Sequence, residues 1–324
     1  MAFARNWRHS IAADGPARVI EVDIPALNAV FSEAFTDRYR RDGLVGVRVP
    51  FLNPAVWRFA IADAQGGAVA WRDARGAIVA FNIAHCSGVE GWMGPLAVHP
   101  DHQGQGIGKA VVGAGIEWLK QRGARVVGLE TMPRTMDNVG FYSSLGFTPG
   151  RLTVTLTLEG QRGRQSATLF SALDPAQRRA ALGKCTALLE DLAPGYDYSR
   201  EISLTDSHGL GETLLIENGA QLRAFAICHG IPLVQGRVRE EIRVLKLVAR
   251  STADVEDMLS QLCIYTRGVS ARRVAVRVQS EYDEIYRALI LRGARVRWTD
   301  LRMSLAGYAE KTPDSGIVLS NWEI

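Results

Sequence analysis

The residues best placed to do chemistry lie in the run Met93-Gly94-Pro95-Leu96-Ala97-Val98-His99-Pro100-Asp101-His102-Gln103-Gly104-Gln105-Gly106-Ile107-Gly108-Lys109. Glycines at 104, 106 and 108 let the backbone bend sharply and approach a ligand without Cβ clashes. An amphipathic segment follows at once, so a helix start would aim unpaired N–H groups and the positive end of its dipole into the turn. Together these make an anion cradle suited to a phosphate or diphosphate. The run lacks the Gly-Lys-Ser/Thr of a nucleoside triphosphate loop and the G-x-G-x-x-G of a dinucleotide fold. The cysteines, Cys86, Cys185, Cys228 and Cys263, are far apart with no C-x-x-C pair, so their spacing indicates neither a metal site nor a disulfide framework. They read as small core hydrophobes.

The loop needs a strand before it and a helix after it, and the periodicity supplies both. Trp92 to Val98 reads as a strand, Lys109 to Gln121 as a helix with Val112, Ile116 and Leu119 on one face, and Val126 to Thr131 as the next strand. This is a βαβ unit. Upstream, Arg18 to Val22 alternates like a strand, and Pro25 to Arg41 carries Leu27, Val30, Phe31, Ala34 and Phe35 at helical spacing. A less regular aromatic stretch follows. Ala68 to Arg72 and Ile78 to Cys86, around Asp73-Ala74-Arg75-Gly76, predict a β-hairpin. Downstream come a short helix from Asp137 to Leu145, closed by Gly146, and a long strand from Leu152 to Leu158.

Glu159 to Ser166 is polar and free of large apolar residues, which marks a connector. It divides the chain into domains at 1–160 and 167–324. Beyond it the elements recur: strand Thr168 to Leu173, helix Asp174 to Leu192, hairpin Leu214 to His229, strand Ile242 to Ala249, helix Ala253 to Thr266, strand Val274 to Val278, helix Tyr282 to Leu291 and strand Val296 to Leu305. Ala80, Phe81, Ile83 and His85 return as Ala224, Phe225, Ile227 and His229, each 144 positions on, as do Tyr142 at Tyr286 and Leu145 at Leu289. Tandem copies explain this best. A histidine at the same place in both copies suggests a structural task for His85.

Gln103-Gly104-Gln105-Gly106-Ile107-Gly108 fits the Q/R-x-x-G-x-G/A loop of the GCN5-related N-acetyltransferases, and Phe141-Tyr142-Ser143-Ser144-Leu145-Gly146-Phe147 is similar to their F-Y-x-x-L-G-F segment. Residues 18 to 160 resemble this family motif by motif, and the second half resembles it by element order alone. The resemblance implies an α/β fold of the α+β mixed-sheet kind: two tandem acetyltransferase-like domains, each a mixed, mostly antiparallel sheet flanked by helices. It implies acetyl-CoA, or another acyl-CoA, as co-substrate and no metal. Backbone amides of Gln103, Gly104, Gln105, Gly106, Ile107, Gly108 and Lys109 would hold the diphosphate, and the edge of Leu96, Ala97 and Val98 would pair with pantetheine. Leu96 falls where the family offers an N–H to the thioester oxygen, and Tyr142 where it often uses a general acid for the departing thiolate. An asparagine that often contacts the cofactor is replaced by Thr135, with Asn138 nearby as a substitute. The position of a known base is Trp92, which leaves Glu90, on the same strand face, and Glu130, near the strand splay, as candidates.

In the second half the corresponding turn, Arg250-Ser251-Thr252-Ala253-Asp254-Val255-Glu256-Asp257, has no glycine, and its three carboxylates would repel a diphosphate. That half is expected to be a degenerate copy without coenzyme A, with a structural task despite Tyr286. The resemblance therefore implies an acyl-CoA-dependent N-acyltransferase acting on a small-molecule or peptide amine by direct attack in a ternary complex. Acylation of an alcohol, and a non-catalytic acyl-CoA sensor, are the alternatives. The acceptor is expected between Phe35 and Phe59, near Tyr39, Phe51 and Trp57.

Composition is consistent with this and narrows the rest. Apolar residues make up 47% and charged residues 22%, which is ordinary globular composition. The 38 basic and 34 acidic side chains leave +4 with no basic stripe, so no nucleic-acid partner is expected. Met1 to Ser10 shows no apolar run behind its positive charges, and no stretch is long and apolar enough to span a bilayer. A cytoplasmic protein, monomeric or homodimeric and without a membrane partner, is the expectation.

Overall fold

The computed structural model describes residues 13–322, so the N-terminal stretch inspected for a leader lies outside the described residues. The first half runs β1 (Asp14–Arg18), α1 (Ile24–Arg41), α2 (Pro54–Asp63), β2 (Ala68–Arg72), β3 (Ile78–Ser87), β4 (Glu90–Val98), α3 (Ile107–Gln121), β5 (Val126–Thr131), α4 (Met136–Ser143) and β6 (Phe147–Glu159). The second runs β7 (Thr168–Leu169), α5 (Pro175–Leu192), α6 (Ser199–Ser207), β8 (Gly211–Asn218), β9 (Gln221–His229), β10 (Glu241–Ala249), α7 (Thr252–Gly268), β11 (Arg273–Gln279), α8 (Asp283–Leu291), β12 (Arg295–Leu305) and β13 (Ile317–Ser320). Among the described residues no helix is long and apolar enough to cross a membrane.

Several expectations need correction. The strand expected at Arg18 to Val22 ends at Arg18, because the Asp23 carboxylate accepts the Ile20 N–H and folds Glu21–Asp23 into a 3-10 turn. The irregular aromatic stretch contains α2, started by the Asn53 side chain accepting the Ala55 N–H, with Pro54 at the first helical position. Helix α6 escaped notice because its buried face includes Glu201 and Thr205, which hides the apolar period. The strand expected at Thr168 to Leu173 is two residues long and turns at Phe170–Ala172. Strand β13 is additional.

All thirteen strands form one sheet, ordered β1-β2-β3-β4-β5-β12-β6-β11-β10-β9-β8-β7, with β13 beside β10. Only β4 with β5 and β10 with β11 run parallel. The order in the middle shows an exchange. Strand β6 of the first half pairs with β11 of the second, β12 of the second pairs with β5 of the first, and β6 and β12 pair with each other. Each half is completed by the other's last long strand.

The repeat is visible in the packing. Phe81 and Ile83 point toward α1 and α2, as Phe225 and Ile227 point toward α5. On the opposite face Ala84 packs with α3, as Ala224 and Ala226 pack with α7. The period-two alternation of each strand thus places one helical layer on each face.

The halves also meet through a buried polar seam. Asp63 accepts from the Arg200 Nε at 2.8 Å and lies 2.6 Å from His85 Nδ1, while the His85 ring stacks 4.0 Å from Trp92. His85 therefore has a structural setting. Next to it Ser87 donates to the Glu201 carboxylate, whose second oxygen has no partner among the described residues. Burial, helped by the charge of Asp63, raises the Glu201 carboxyl from its ordinary 4.5 to about 7. Between these two values the folded protein holds a proton that the unfolded chain has lost, so the stability from this group is complete below pH 4.5 and is lost as pH rises through 7. Glu201→Gln should therefore stabilise the protein at pH 8, by about 3 kcal/mol, and have little effect at pH 4.5. Denaturant unfolding at the two pH values checks this, and equal effects at both would contradict it.

Candidate active site

Strands β4 and β5 run side by side only from Glu90 beside Val126 to Met93 beside Leu129. Past that point they part, and Gly94 to Val98 keep only β3 as a neighbour. The His99 N–H donates to the Val79 carbonyl in the β3 direction, so strand alternation turns the N–H groups of Leu96 and Val98 the other way, into the fork. The open edge thus carries backbone donors with no strand partner.

The glycine loop closes one end of this fork. Gly104 and Gly106 have φ of +76° and +85°, left-handed values that favour glycine, and a Cβ built on either would meet no protein atom within 4 Å. The space there is open. The amide N–H groups of Gly104, Gln105, Gly106, Ile107 and Gly108 donate to no acceptor among the described residues, because the helical ladder starts with Lys109 and Ala110 bonding to the Gly106 carbonyl. The two glutamines brace the turn with their side chains: Gln103 Nε2 reaches the Val98 carbonyl at 3.0 Å, and Gln105 Nε2 the Asp101 carbonyl at 3.3 Å. Bracing through side chains leaves the backbone donors free. Lys109 is exposed at the edge of the loop. A diphosphate fits this row of amides and the positive helix end.

Helix α4 packs on the same loop. Phe141 would come within 3.2 Å of a Cβ on Gly108. Tyr142 lies at the floor of the fork, packed with Met93, Val112, Leu129 and Phe147, with Leu96 at the edge of the cluster. Its hydroxyl makes no hydrogen bond among the described residues, and burial alone raises its pKa well above the usual phenol range. Asn138 is half-buried, 3.5 Å from the Thr131 hydroxyl. Thr135 donates instead to Asp42 at the end of α1, at 2.7 Å, and so ties α1 to the turn before α4.

Glu90 and Glu130 are not placed as free carboxylates beside the fork. The Glu90 side chain is fully buried and receives Trp322 Nε1 at 2.8 Å, the Tyr198 hydroxyl at 3.0 Å and Lys246 Nζ at 3.4 Å. The Glu130 side chain, 2% exposed, receives Arg277 at 2.5 Å, Arg302 at 2.8 Å and Thr153 at 2.7 Å. Burial by itself raises both carboxyls, but Lys246 in one case and Arg277 with Arg302 in the other outweigh it and hold them below the usual range. The donors Lys246, Tyr198, Arg277, Arg302 and Trp322 all come from the second half, and no spacing in the sequence pointed to them.

The region expected to take the acceptor also draws on both halves. Trp57, expected near an acceptor pocket, is fully buried in the core, with its Nε1 on Asn28 at 2.7 Å. Phe51 lies in a segment that bonds to 233–235 of the second half. The Tyr39 ring lies 6.5 Å from that of Trp298 of β12. Where the β5–β12 ladder ends at Thr131 beside Leu301, the two strands part around a cavity of about 390 Å³ lined by Met132, Pro133, Arg134, Val296, Arg297, Trp298 and Thr299. The tail of β5 therefore borders the fork on one side and this cavity on the other.

In the second half both parts of such a site are filled by the chain itself. Beyond the parallel stretch of β10 and β11, β13 pairs antiparallel with Lys246 to Ala249 and occupies the fork. At the following turn the Ser251 side chain caps α7 by accepting the Asp254 N–H, and Arg223 holds Asp254 and Asp257.

Comparison with known proteins agrees with this geometry. The model of the acetyltransferase (GNAT) family matches residues 29–147. Among curated protein sequences none matches the chain. Among solved structures the chain is similar to a proposed acetyltransferase from Pyrococcus horikoshii, at 16% identity over 99% of this chain and 98% of that one, with a TM-score of 0.66. It is similar to a tandem GNAT protein from the clavulanic acid biosynthesis pathway, at 10% identity over 90% and 97%, with a TM-score of 0.57. A GCN5-related N-acetyltransferase from Sphaerobacter thermophilus, at 16% identity over 90% and 94%, gives a TM-score of 0.54. Residues 29–147 thus match the acetyltransferase (GNAT) family, and the chain as a whole has the fold seen in a tandem GNAT protein.

Proposed function

We propose that the first half transfers an acyl group, acetyl in the simplest case, from acyl-CoA to a primary amine by direct attack within a ternary complex. The observation that carries this reading is the row of uncommitted amides from Gly104 to Gly108 set against the open edge of β4. The loop amides would take the diphosphate. The Leu96 and Val98 edge would bond pantetheine as an added strand, with the Leu96 N–H donating to the thioester oxygen as negative charge builds there. As the amine nitrogen bonds to the acyl carbon, the C–S bond breaks and the sulfur takes the proton of the Tyr142 hydroxyl, while the proton shed by the new amide nitrogen passes through water and restores the tyrosine. Burial keeps that hydroxyl protonated at neutral pH, which suits a general acid.

We assign the general-base role to neither Glu90 nor Glu130, since their oxygens are held by cations and hydrogen-bond donors. The amine loses its proton to water before attack. The second half, with β13 in its fork, takes no coenzyme A and serves the first by lending β12. Four buried, unpaired cysteines support a reducing, cytoplasmic setting.

Three measurements test the reading. Calorimetry should show one acetyl-CoA bound per chain, and Gly106→Val, which forces a β-branched residue to a left-handed φ beside the ligand, should weaken binding at least about tenfold. A wild-type protein that ignores acetyl-CoA at millimolar concentration rejects the proposal. Tyr142→Phe should lower kcat by about 10²- to 10⁴-fold while leaving the Kd for coenzyme A unchanged. An unaltered kcat would remove Tyr142 from the chemistry, and no turnover in the wild type despite binding would favour a sensor. Finally, kcat/KM should climb with pH until the pKa of the acceptor amine itself and follow that pKa from one acceptor to another, whereas a fixed inflection would reveal a base on the protein.

A further inference from the structure

The Tyr142 hydroxyl makes no hydrogen bond among the described residues, and its ring is kept by apolar contacts with Met93, Leu129 and Phe147. Its place therefore depends on where α4 lies. At the far end of that helix the Phe141 ring rests against Gly108 of the loop, 3.2 Å from a Cβ built there. At the near end a closed ring of polar contacts joins α4 to the end of α1. Thr135 is fully buried and is the last residue before α4, and its carbonyl accepts the N–H groups of Asn138 and Val139, so the first turn hangs on it. A threonine at such a position commonly caps its own helix with its side chain. This one does not. Its hydroxyl donates to Asp42 at 2.7 Å, the other Asp42 oxygen takes Arg38 at 2.6 Å, and the second Arg38 nitrogen reaches Asp137, in the first turn of α4, at 3.0 Å.

The Thr135–Asp42 link is the part of this ring shielded from water. The Asp42 side chain is 7% exposed, against 76% for Asp137, whose exposed ion pair contributes little. Burial by itself raises the Asp42 carboxyl, but the Thr135 hydroxyl and the Arg38 guanidinium outweigh it and hold it below the usual carboxylate range. Asp42 is thus ionised at neutral pH, and the bond from Thr135 is charge-assisted. Tyr142 stands about two turns, or roughly 10 Å, further along the helix, and a displacement of about 1 Å at a reacting group can cost on the order of 10²-fold in rate. We infer that Thr135 is a positioning residue: its bond to Asp42 seats α4 on the end of α1 and so brings the Tyr142 hydroxyl onto the coenzyme sulfur. This rests on the acyltransferase reading and deepens it. Where the family often has an asparagine that touches the cofactor, this chain has a residue that serves the same site through the helix.

Coenzyme A itself is the probe, so the test does not depend on knowing the acceptor. A hydroxyl at the sulfur stabilises the bound thiolate and lowers the pKa of the bound thiol, which is read from thiolate absorbance in the ultraviolet with S-methyl-CoA as the blank. Tyr142→Phe should raise that pKa by about one, the difference between a charge-assisted and an ordinary hydrogen bond. Thr135→Val keeps the side-chain shape and loses the donor. It should raise the pKa at least about half as much when Tyr142 is present and not at all in a Tyr142→Phe background, the signature of two residues acting through one contact. Thr135→Ser should keep the wild-type value, and the Kd for coenzyme A at neutral pH should be unchanged throughout. If Thr135→Val does not fold, Asp42→Ala cuts the same link from the α1 side and is read in the same cycle. An equal rise in both backgrounds, no rise in either, loss of coenzyme A binding by a folded variant, or a Tyr142→Phe value equal to the wild type would each overturn the inference and leave the acyltransferase reading in place. A wild-type protein that does not bind coenzyme A removes both.

Discussion

Backbone hydrogen bonds must be satisfied or left facing a ligand or water, and the point where two parallel strands separate makes that requirement acute. Here it arises twice, at β4–β5 and at β10–β11. In the second half β13 enters the gap and pairs with Lys246 to Ala249, so the sheet closes on itself. In the first half no strand enters, and the donors of Leu96 and Val98 stay available beside an equally unfilled helix start. The two halves thus differ in which fork the chain fills.

The exchange of β6 and β12 explains why the halves act as one body. Strand β12 lies between β5 and β6, so the first half's sheet is incomplete without the second. The ionic groups follow the strands. Glu130 on β5 would be an uncompensated buried charge without Arg302 from β12 and Arg277 from β11, as Glu90 would be without Lys246 from β10. Removing one partner from such a pair costs more than the pair contributes in net stability. These contacts therefore tie β4 and β5 of the first half to β10, β11 and β12 of the second.

Much of the site was legible in the sequence because it is made of local backbone geometry. Glycines at 104 and 106, a strand before them and an amphipathic helix after them specify a turn with free amides, and the structure has that turn. The 144-residue offset between Phe81 and Phe225 was readable for a similar reason, since both side chains fill the same position under a helix. What the sequence concealed was pairing across long separations. A strand such as Arg295–Leu305 alternates in the same way whether it joins its own half or the other, so nothing local indicates the exchange. Glu90 and Glu130 looked like available acids because their cationic partners lie more than a hundred residues away. Short β13 has too few residues to show a period of its own.

The second half, though its own fork is filled, also shapes the surroundings of the first half's fork. Trp298 and Arg297 reach the cavity beside the β5 tail because β12 runs antiparallel to β5 and overshoots the end of their ladder at Thr131. Tyr39 approaches from the opposite layer because α1 is tied to the β5–α4 turn by Thr135 and Asp42 and by Arg38 and Asp137. The glycine loop and its fork are thus built from one half's backbone, whereas the cavity beside them is built from side chains of both halves, so changes in β12 can alter the cavity while leaving the loop unchanged.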